Sequence, residues 1–439
     1  MCGITGFVDF NNNSDEAILA GMTHSLASRG PDGQGGSLQQ LNSCQVGFGH
    51  RRLSVIDLSA SANQPMEYEG LQIIFNGEIY NYNEIRDKLI ALGHWFKTHS
   101  DTEVILHAWR EWGEQSIDQW RGMFAIVLYD NKTNELVCIR ARAGVKPLFY
   151  YFHNGLFLFG SELKSLLKHP GFEKIIDPDA VASYLVYGYV SWPNCIYKHT
   201  KKLSLGHILR FDLRSKSIKT KAYWSVYDCY NQPRLSITLP EAIEETERIL
   251  SASFQYRMVA DVPVGVFLSG GYDSTCVTAL LQKESTARLK TFTIGSIDDQ
   301  LDEAPFAKQV ASRLGTDHTE YYCSAKEALD IIPDLPYYYD EPFADSSAIP
   351  TILVSRMARK QVTVALSADA GDEIFAGYNR YDYVSRYGEK IARIPGPFRK
   401  TLSYIMDRVS SEHIPYLRSS YNFHARYHKL TKLLRGASP

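Results

Sequence analysis

The chain has 439 residues, 44% of them hydrophobic and 22% charged, with a formal net charge of −2. This length allows two or three domains, and the composition is that of an ordinary globular protein. The near-neutral charge gives no electrostatic reason to expect nucleic acid or an anionic membrane surface as a partner.

Targeting and redox features point to the cytoplasm. No apolar run is long enough to span a bilayer, and the first residues, MCGITGFVDF, lack the basic and apolar regions of a signal peptide. The seven cysteines are scattered, odd in number and never spaced C-x-x-C. They indicate reduced thiols rather than a disulfide framework or a zinc site. We therefore expect a cytoplasmic protein that spans no membrane.

The first candidate functional residue is Cys2. Most free cysteines are small buried hydrophobes, but a terminal cysteine carries its own α-amine within reach of its sulfur. That amine has a reference pKa near ~8 and can serve as the base that activates the thiol. If Met1 is removed, the sequence therefore indicates an N-terminal nucleophile.

Polar motifs follow along the first hundred residues. Residues 29–32 are a turn signal in a glycine-rich loop that ends near Gly36. Residues 71–75 predict a strand that closes on Asn76-Gly77-Glu78. An Asn-Gly pair is a common hairpin turn, although an Asn amide beside a Gly N–H is also what an oxyanion hole needs. Residues 100–103 (SDTE) are typical of a helix N-cap.

Further strands are predicted at residues 122–130, 135–142 and 148–162, the last with a hairpin turn at Asn154-Gly155. Together with the helix at residues 81–93, they fit a layered αββα sandwich. Charged turns between Gly206 and Trp224 then interrupt the pattern. We place the domain boundary there, with residues 1–213 in the first domain and 214–439 in the second.

The motifs MCGI, RGPDG, HRRLSVID, FNGEIYN and SDTEVIL together resemble the glutaminase domain of class II amidotransferases, specifically that of glutamine-hydrolysing asparagine synthetases. The resemblance implies an α+β N-terminal-nucleophile fold. It also implies that Cys2 attacks the glutamine side-chain amide and that Arg52 holds the α-carboxylate in a bidentate pair. The remaining glutamine contacts that it implies are Glu78 and Asp101 for the α-ammonium group, and the side chain of Asn76 with the N–H of Gly77 for the oxyanion.

The second half is organised around a strand, a tight loop and a helix. After a helix predicted over 239–258, an apolar run ends at Leu268 and gives way to SGGYDS, residues 269–274, which we call the SGG loop. Such a loop presents unpaired N–H groups at a helix N-terminus and can bind an anion. An ordinary strand-to-helix turn is the alternative, but the SGG-x-DS pattern is more specific. It is not the GxxxxGK[ST] phosphate loop.

Two further buried strands are predicted at 290–295 and 361–367, with a helix near 303–315 between them. Strands alternating with helices imply an α/β domain with a mostly parallel sheet. Ligands bind outside the carboxyl ends of such strands. The SGG loop, Ile294-Gly295 and residues 367–369 lie at these ends, so we expect them to meet around one nucleotide.

This half resembles the ATP-pyrophosphatase-type domain of the same family, through TFTIG, YYDEPFADSSAIPT and LSADAGDEIFAGYNRY. The resemblance implies ATP and Mg²⁺, with Mg²⁺ held by Asp273 and Asp372. It places Asp369 near the carboxylate that is adenylated and Glu373 in the same site. The ATP contacts that it implies are Leu268, Ser269, Gly270, Gly271, Asp273, Ser274, Ile294, Ser367 and Ala368.

Two features depart from the family pattern. Ala368 and Ala370 stand where the pattern SG[DE]G[GS]DE has glycines, and alanine at a positive φ would be strained by about 1–2 kcal/mol. Family members also continue well beyond Pro439, and that continuation carries a lysine implicated in pyrophosphate departure. We therefore expect glutamine hydrolysis, with asparagine formed slowly or not at all.

Our interpretation is an ATP-dependent ligase that makes asparagine from aspartate with ammonia from glutamine. The partners are then glutamine, aspartate or another small carboxylate, and ATP, without nucleic acid or membrane. The alternatives are amidation of a sugar acid or peptide, glutaminase activity alone, and a non-catalytic partner of a longer enzyme. The sequence leaves open the acceptor and whether the chain forms a homodimer.

Overall fold

The computed structural model describes residues 1–296, 302–409 and 421–436. They fall into two compact units, Met1–Leu366 and Ser367–Pro439, each described by itself below. The strands of the first unit are β1 (Gly3–Asp9), β2 (Gly33–Gln40), β3 (Gln45–Arg52), β4 (Met66–Tyr68), β5 (Leu71–Ile79), β6 (Gly122–Asp130), β7 (Glu135–Arg140), β8 (Phe149–His153), β9 (Leu156–Gly160), β10 (Thr200–Lys202), β11 (His207–Asp212), β12 (Ser217–Ala222), β13 (Val264–Phe267), β14 (Lys290–Ser296), β15 (Asp317–Cys323) and β16 (Val364–Leu366).

The helices of the first unit are α1 (Glu16–His24), α2 (Tyr82–Ala91), α3 (Asp101–Trp112), α4 (Ser116–Gln119), α5 (Leu163–Leu166), α6 (Pro178–Tyr187), α7 (Val226–Tyr230), α8 (Leu239–Arg257), α9 (Tyr272–Glu284), α10 (Ala304–Leu314), α11 (Ala325–Ile331), α12 (Leu335–Tyr338) and α13 (Ala348–Ala358). Those of the second unit are α14 (Gly371–Phe375), α15 (Asn379–Ala392), α16 (Gly396–Arg408) and α17 (Tyr421–Gly436). The three helices predicted with bounds, at 81–93, 239–258 and near 303–315, are found as α2, α8 and α10, each within about two residues of those bounds. Among the helices that the structure describes, none combines the length and the apolar character needed to cross a membrane.

The first 222 residues form two stacked antiparallel sheets, each six-stranded. The first has the order β10-β8-β9-β1-β3-β2 and the second β12-β11-β7-β6-β5-β4. Side chains alternate along the inner strands: in β6, Ile126 and Leu128 pack under α2 and α3, whereas Val127 faces the other sheet. Helices α1, α5 and α6 cover the outer face of the first sheet. The layers are therefore helix, sheet, sheet and helix, which confirms the αββα prediction.

Two local predictions in this region were wrong, and the hairpin alternative at Asn76-Gly77 is excluded. Residues 33–36 are not a loop but the start of β2, which pairs with β3. A Cβ atom on Gly35 would lie 1.9 Å from the carbonyl oxygen of Gln64, so glycine allows the two chain segments to pass closely. Asn76 and Gly77 are not a turn, because β5 continues through them to Ile79. The expected charged turns at 206–224 contain β11 and β12, which pair and extend the second sheet past residue 213.

The remainder of the first unit is built on a parallel sheet with the order β15-β14-β13-β16. This confirms the α/β prediction, although the polar, half-exposed β15 was not predicted. The chain runs from β13 to β14 and β15 on one side and then crosses to β16 on the other. The order therefore reverses beside β13, and crevices at such switch points are where parallel sheets bind ligands.

The second unit is helical among its described residues. Helices α16 and α17 pack together, with a hydrogen bond from the Ser403 hydroxyl to the Thr431 carbonyl at 3.1 Å. Ala370 precedes α14 with φ of 78° and ψ of 2°, a left-handed conformation that disfavours any residue with a Cβ atom. One of the two alanines that replace expected glycines therefore does occupy a positive-φ position.

Candidate active site

Five of the predicted glutamine-site residues line one small cavity in the first unit. Cys2 lies just before β1, Arg52 ends β3, Gly77 and Glu78 lie in β5, and Asp101 begins α3. The pairing of β1 with β3 sets Gly3 opposite Arg51 and so holds the first two side by side. Residues from separate parts of the sequence are thus brought together, with one basic and two acidic side chains around the Cys2 thiol.

Asn76 lies beside this cavity and is completely buried. Neither its side-chain nitrogen nor its side-chain oxygen has a hydrogen-bond partner within the described residues. Buried amides are nearly always paired, because an unpaired buried donor or acceptor costs about 1–3 kcal/mol. An orphaned amide next to a nucleophile is what a preorganised oxyanion donor requires, since its partner is formed only during the reaction.

Glu78 and Asp101 are two acidic side chains that share the cavity. Burial raises the pKa of Asp101 to about 6, although its carboxylate accepts the Ile79 N–H at 2.9 Å. Burial and the neighbouring Asp101 raise the pKa of Glu78 well above its usual range. A positive charge between the two carboxylates would stabilise their ionised forms, so the pair is electrostatically suited to an ammonium group.

Burial also raises the pKa of the Cys2 thiol, which donates a weak hydrogen bond to the Leu53 carbonyl at 3.6 Å. A thiol of this kind needs a base to become a nucleophile at neutral pH. In the full chain the nearby amine belongs to Met1, and burial lowers its pKa to about 5. Cys2 has an amine of its own only after Met1 is removed.

Arg52 is buried, but its terminal nitrogens are already occupied. They donate to the carbonyls of Ser59 at 2.7 Å and Ile56 at 3.4 Å, to the Asn63 side chain at 2.9 Å, and to the Asp57 carbonyl. These acceptors satisfy all four N–H groups of the two terminal nitrogens. A bidentate pair with a carboxylate would have to replace some of them.

The cavity itself has a volume of about 20 Å³, roughly that needed for one water molecule. The structure therefore shows a closed pocket, in which acceptors from the loop of residues 55–63 use the N–H donors of Arg52. This loop is tied to the start of the second half, because the Asp57 N–H donates to the Asp261 carboxylate and the Asp261 N–H to the Val55 carbonyl, both at 2.8 Å. Opening the pocket must strain or break these bonds.

Lys146 is a charged residue of this region that sequence reasoning did not single out. It is buried, and burial lowers its pKa while the negative charges of Glu78 and Cys2 oppose that shift. Lys146 begins the sequence KPLFY, residues 146–150, in which a lysine directly precedes a largely buried apolar run. That pattern was the signal available in the sequence. The buried ammonium lies near enough to Glu78 to offset part of the negative charge in the cavity.

The SGG loop has the geometry expected of an anion-binding turn. Gly270 has φ of 83°, and a Cβ atom there would lie 2.7 Å from the backbone nitrogen of Ala307. The hydroxyls of Ser269 and Ser274 lie 2.9 Å apart at the start of α9. Tyr272 is 97% exposed, so its side chain takes no part in the packing of the loop.

The other predicted nucleotide residues divide between the two units. Leu268 continues the β13–β14 pairing through its N–H to the Phe292 carbonyl at 2.9 Å, and Ile294 lies near the carboxyl end of β14. These ends meet at one edge of the sheet, beside the SGG loop. The residues Ser367, Ala368, Asp369, Asp372 and Glu373 follow β16 in the chain and belong to the second unit.

The donor set in the SGG loop fits Mg²⁺. Asp273 lies in the first turn of α9, with the two serine hydroxyls nearby. Mg²⁺ is usually bound by one or two carboxylates together with substrate phosphates and water, rather than by a complete cage of protein ligands. One carboxylate at a phosphate-binding turn meets that requirement.

A cavity of about 690 Å³ lies between the two functional halves of the first unit. Met1, Arg29 and Glu162 line it on the side of the two stacked sheets, and Phe267, Val364 and Ala365 on the side of the parallel sheet. It therefore begins next to Cys2 and reaches the last residue of β13 and the edge strand β16.

Ion pairs follow one wall of this cavity. Arg29 donates to the Cys2 carbonyl at 2.9 Å and to Glu162 at 2.7 Å. Lys164 bridges Glu162 at 3.0 Å and Asp340 at 3.3 Å. These side chains are largely shielded from water, so the contacts link the backbone of Cys2 to the segment that precedes α13.

Comparison with known families assigns both halves. Residues 1–224 match the glutamine amidotransferase domain family and residues 245–438 match the asparagine synthase family. A Methanocaldococcus jannaschii protein provisionally named asparagine synthetase 2 (glutamine-hydrolysing) is 36% identical over 92% of this chain and 82% of its own. The glutamine-hydrolysing asparagine synthetase 1 of Bacillus subtilis is 35% identical over 92% of this chain and 63% of its own. The chain thus spans less than two thirds of the length of that relative.

More distant relatives have other names. The amidase chry2 of Gibberella zeae is 28% identical over 87% of this chain and 60% of its own. Superposition on the glutamine phosphoribosylpyrophosphate amidotransferase of B. subtilis, complexed with ADP and GMP, gives a TM-score of 0.36 at 16% identity, over 73% of this chain and 65% of that one. A score this low supports no inference about function.

Proposed function

The chain belongs to the asparagine synthase family and carries a glutamine amidotransferase domain at its amino end, and from that premise we propose that it amidates a carboxylate with ammonia released from glutamine at Cys2. The observation that carries the proposal is that Cys2, Gly77 and two acidic side chains line one cavity, and that the unpaired amide of Asn76 is next to Gly77 in the same strand. Nucleophile, oxyanion donor and ammonium site are then present together.

The first half-reaction is thioester formation at Cys2. The sulfur attacks the side-chain amide carbon of glutamine while the α-amine of residue 2 takes the thiol proton. The amide N–H of Gly77 and the side chain of Asn76 stabilise the negative oxygen that develops. The α-amine returns that proton to the leaving nitrogen as the C–N bond breaks, so ammonia leaves, and water then hydrolyses the thioester to glutamate and free thiol.

Recognition of glutamine uses its two charged groups. Glu78 and Asp101 bind the α-ammonium, which relieves the repulsion that raises their pKa values. Arg52 binds the α-carboxylate after the carbonyls of residues 56–59 release its guanidinium. The loop of residues 55–63 therefore has to move before glutamine enters.

Ammonia then crosses the cavity between the two halves. The 690 Å³ cavity starts beside Met1 and reaches Phe267, the last residue of β13, and the edge strand β16.

The second half-reaction activates the acceptor. A carboxylate is a poor electrophile, so one of its oxygens attacks the α-phosphorus of ATP, pyrophosphate leaves, and an acyl-adenylate forms. Ammonia then displaces AMP and leaves an amide. The SGG loop binds the phosphates, and Asp273 in that loop would hold Mg²⁺, whose chemistry is to offset the phosphate charge. Asp369 is the candidate contact for the acceptor.

Aspartate is the acceptor that we propose, because two relatives at 35–36% identity are named asparagine synthetases. Because another relative is named an amidase, the second candidate function is amidation of a different carboxylate by the same two sites.

The test is to supply glutamine, aspartate, ATP and Mg²⁺ and to follow glutamate, AMP and asparagine in one reaction. Cys2→Ala is the matched variant, and free ammonia replaces glutamine in a parallel reaction. We expect the variant to lose glutamate formation and to match the unaltered chain in any product formation that free ammonia supports. Glutamate formation at the full rate in Cys2→Ala would refute the site. AMP formation with a different carboxylate, and none with aspartate, would show that aspartate is not the acceptor.

A further inference from the structure

Three side chains of metal-binding type meet at the β10 edge of the first sheet. His153 ends β8, Glu173 lies between α5 and α6, and His199 lies directly before β10. One ligand atom from each lies within 4.8 Å of the other two. The His153 Nε2 atom is 3.4 Å from the nearer carboxylate oxygen of Glu173. None of the three lines the Cys2 cavity or the SGG loop.

The backbone around the cluster is fixed by hydrogen bonds between its three segments. The Phe152 N–H, beside His153, donates to the carbonyl of His199 at 3.2 Å. The Lys198 N–H donates to the Ile175 carbonyl at 2.8 Å, which joins the segments carrying His199 and Glu173. The side chain of Asn154 donates to Glu173 at 3.1 Å and holds its carboxylate toward the histidines. The ligand groups are thus held close to one another before any ion binds, which lowers the entropic cost of binding.

The two imidazole rings are stacked, with centroids 3.9 Å apart and planes 11° from parallel. Four-coordinate zinc sites have metal–ligand bonds of about 2.0–2.2 Å, so ligand atoms within 4.8 Å of one another must approach by roughly an ångström. Rotation of the two rings about their terminal side-chain torsions, which are soft, supplies that movement. All three side chains are reached by solvent, so an ion can enter without unfolding the sheet edge.

We propose that His153, Glu173 and His199 form a binding site for a divalent ion of the zinc type. Two imidazoles and one carboxylate are a donor set that suits Zn²⁺, Co²⁺ and Ni²⁺, whereas Mg²⁺ and Ca²⁺ prefer oxygen ligands alone. Three protein ligands leave a fourth position for water or another small ligand. The bound ion would fasten the segments around Glu173 and His199 to the end of β8.

The fastened region includes contacts to the second half of the first unit. Three residues before His199, the Ile196 N–H donates to the Glu341 carboxylate at 2.8 Å, and three residues after it Lys202 forms an ion pair with the same Glu341. The ion would therefore stabilise the surface of the amidotransferase domain that contacts Glu341. This consequence does not depend on the proposed reaction.

The experiment titrates metal-free full-length protein with Zn²⁺ by calorimetry and with Co²⁺ by visible absorption. We expect one Zn²⁺ ion bound per chain with histidine ligands and a rise in the melting temperature with Zn²⁺ concentration. Each of His153→Ala, Glu173→Gln and His199→Asn should weaken binding by at least about tenfold. Asparagine is chosen because His199 has φ of 60°, a conformation that asparagine tolerates.

His24→Ala, which removes an exposed histidine at the end of α1, is the matched control and should bind as the unaltered chain does. Three results would overturn the proposal. They are equal Zn²⁺ affinity in the unaltered chain and the three ligand variants, a thiolate charge-transfer band with Co²⁺ that places the ion on cysteine, and no binding at all. Folding of each variant is checked by its melting temperature without metal, so a loss of affinity cannot be confused with a loss of structure.

Discussion

Replacement of Asn76 by leucine separates catalysis from stability. The Asn76 amide is buried, and neither of its polar atoms has a hydrogen-bond partner in the described part of the chain, so in the resting structure it costs free energy rather than contributing it. Leucine has the same branching at Cγ and no polar atoms. We expect Asn76→Leu to raise the free energy of unfolding by about 1–3 kcal/mol, the penalty of a buried unpaired polar group. Loss of one oxyanion donor should lower kcat for glutamine hydrolysis by about 10²–10³-fold.

The matched control is Gln72→Leu in the same strand. Gln72 is also buried, but its amide donates to Ser37 at 3.0 Å and to Glu67 at 2.6 Å. Its removal should lower the free energy of unfolding by about 1 kcal/mol and leave kcat unchanged. The assays are glutamate release at saturating glutamine and denaturant unfolding of each variant. The reasoning is refuted if Asn76→Leu keeps its kcat, or if it is destabilised as much as the control.

Three further predictions follow from the geometry. The pKa of Asp101 is raised to about 6 in the folded chain, so the folded state binds more protons than the unfolded state between about pH 4 and 6, and stability should fall as pH rises through that window; Asp101→Asn should flatten this dependence in denaturant unfolding at a series of pH values. Ala370→Gly should raise the free energy of unfolding by about 0.5–1 kcal/mol, since it relieves a left-handed alanine at the cost of chain entropy. Ala368→Gly should lower the free energy of unfolding. Equal effects of the two substitutions would contradict backbone strain at Ala370. Gly35→Ala should lose about 1–3 kcal/mol because its Cβ would meet the Gln64 carbonyl, and Gly36→Ala, whose nearest contact would be 3.7 Å, should be tolerated; the melting temperatures of the pair decide this.

Strand and helix positions could be predicted where hydrophobic periodicity is strong. The apolar run of β6, the Asn154-Gly155 hairpin and the buried β13 all follow from local patterns. The Asn76-Gly77 pair suggested a turn as an alternative because turn propensity is local, whereas pairing with β6 carries the strand through the pair. The polar strand β15 escaped notice because half-exposed edge residues show no alternation.

The cavity residues could be predicted because motifs bring chemical groups into fixed positions on strands. The state of Arg52 could not, since its partners are mostly backbone carbonyls in the loop of residues 55–63. Carbonyl acceptors exist at every residue and leave no trace in a sequence. The tie between Asp57 and Asp261 is equally hidden, because 204 residues separate the two groups.

The most direct test of the central claim is mass spectrometry of the intact chain, quenched during turnover with glutamine. We expect the chain to begin at Cys2 and to carry a γ-glutamyl adduct on that residue, because the lost Met1 frees the amine that activates the thiol. The adduct should be absent in Cys2→Ala and should accumulate when hydrolysis is slowed. Glutamate formed by a chain that retains Met1, or an adduct on any other cysteine, would contradict the account.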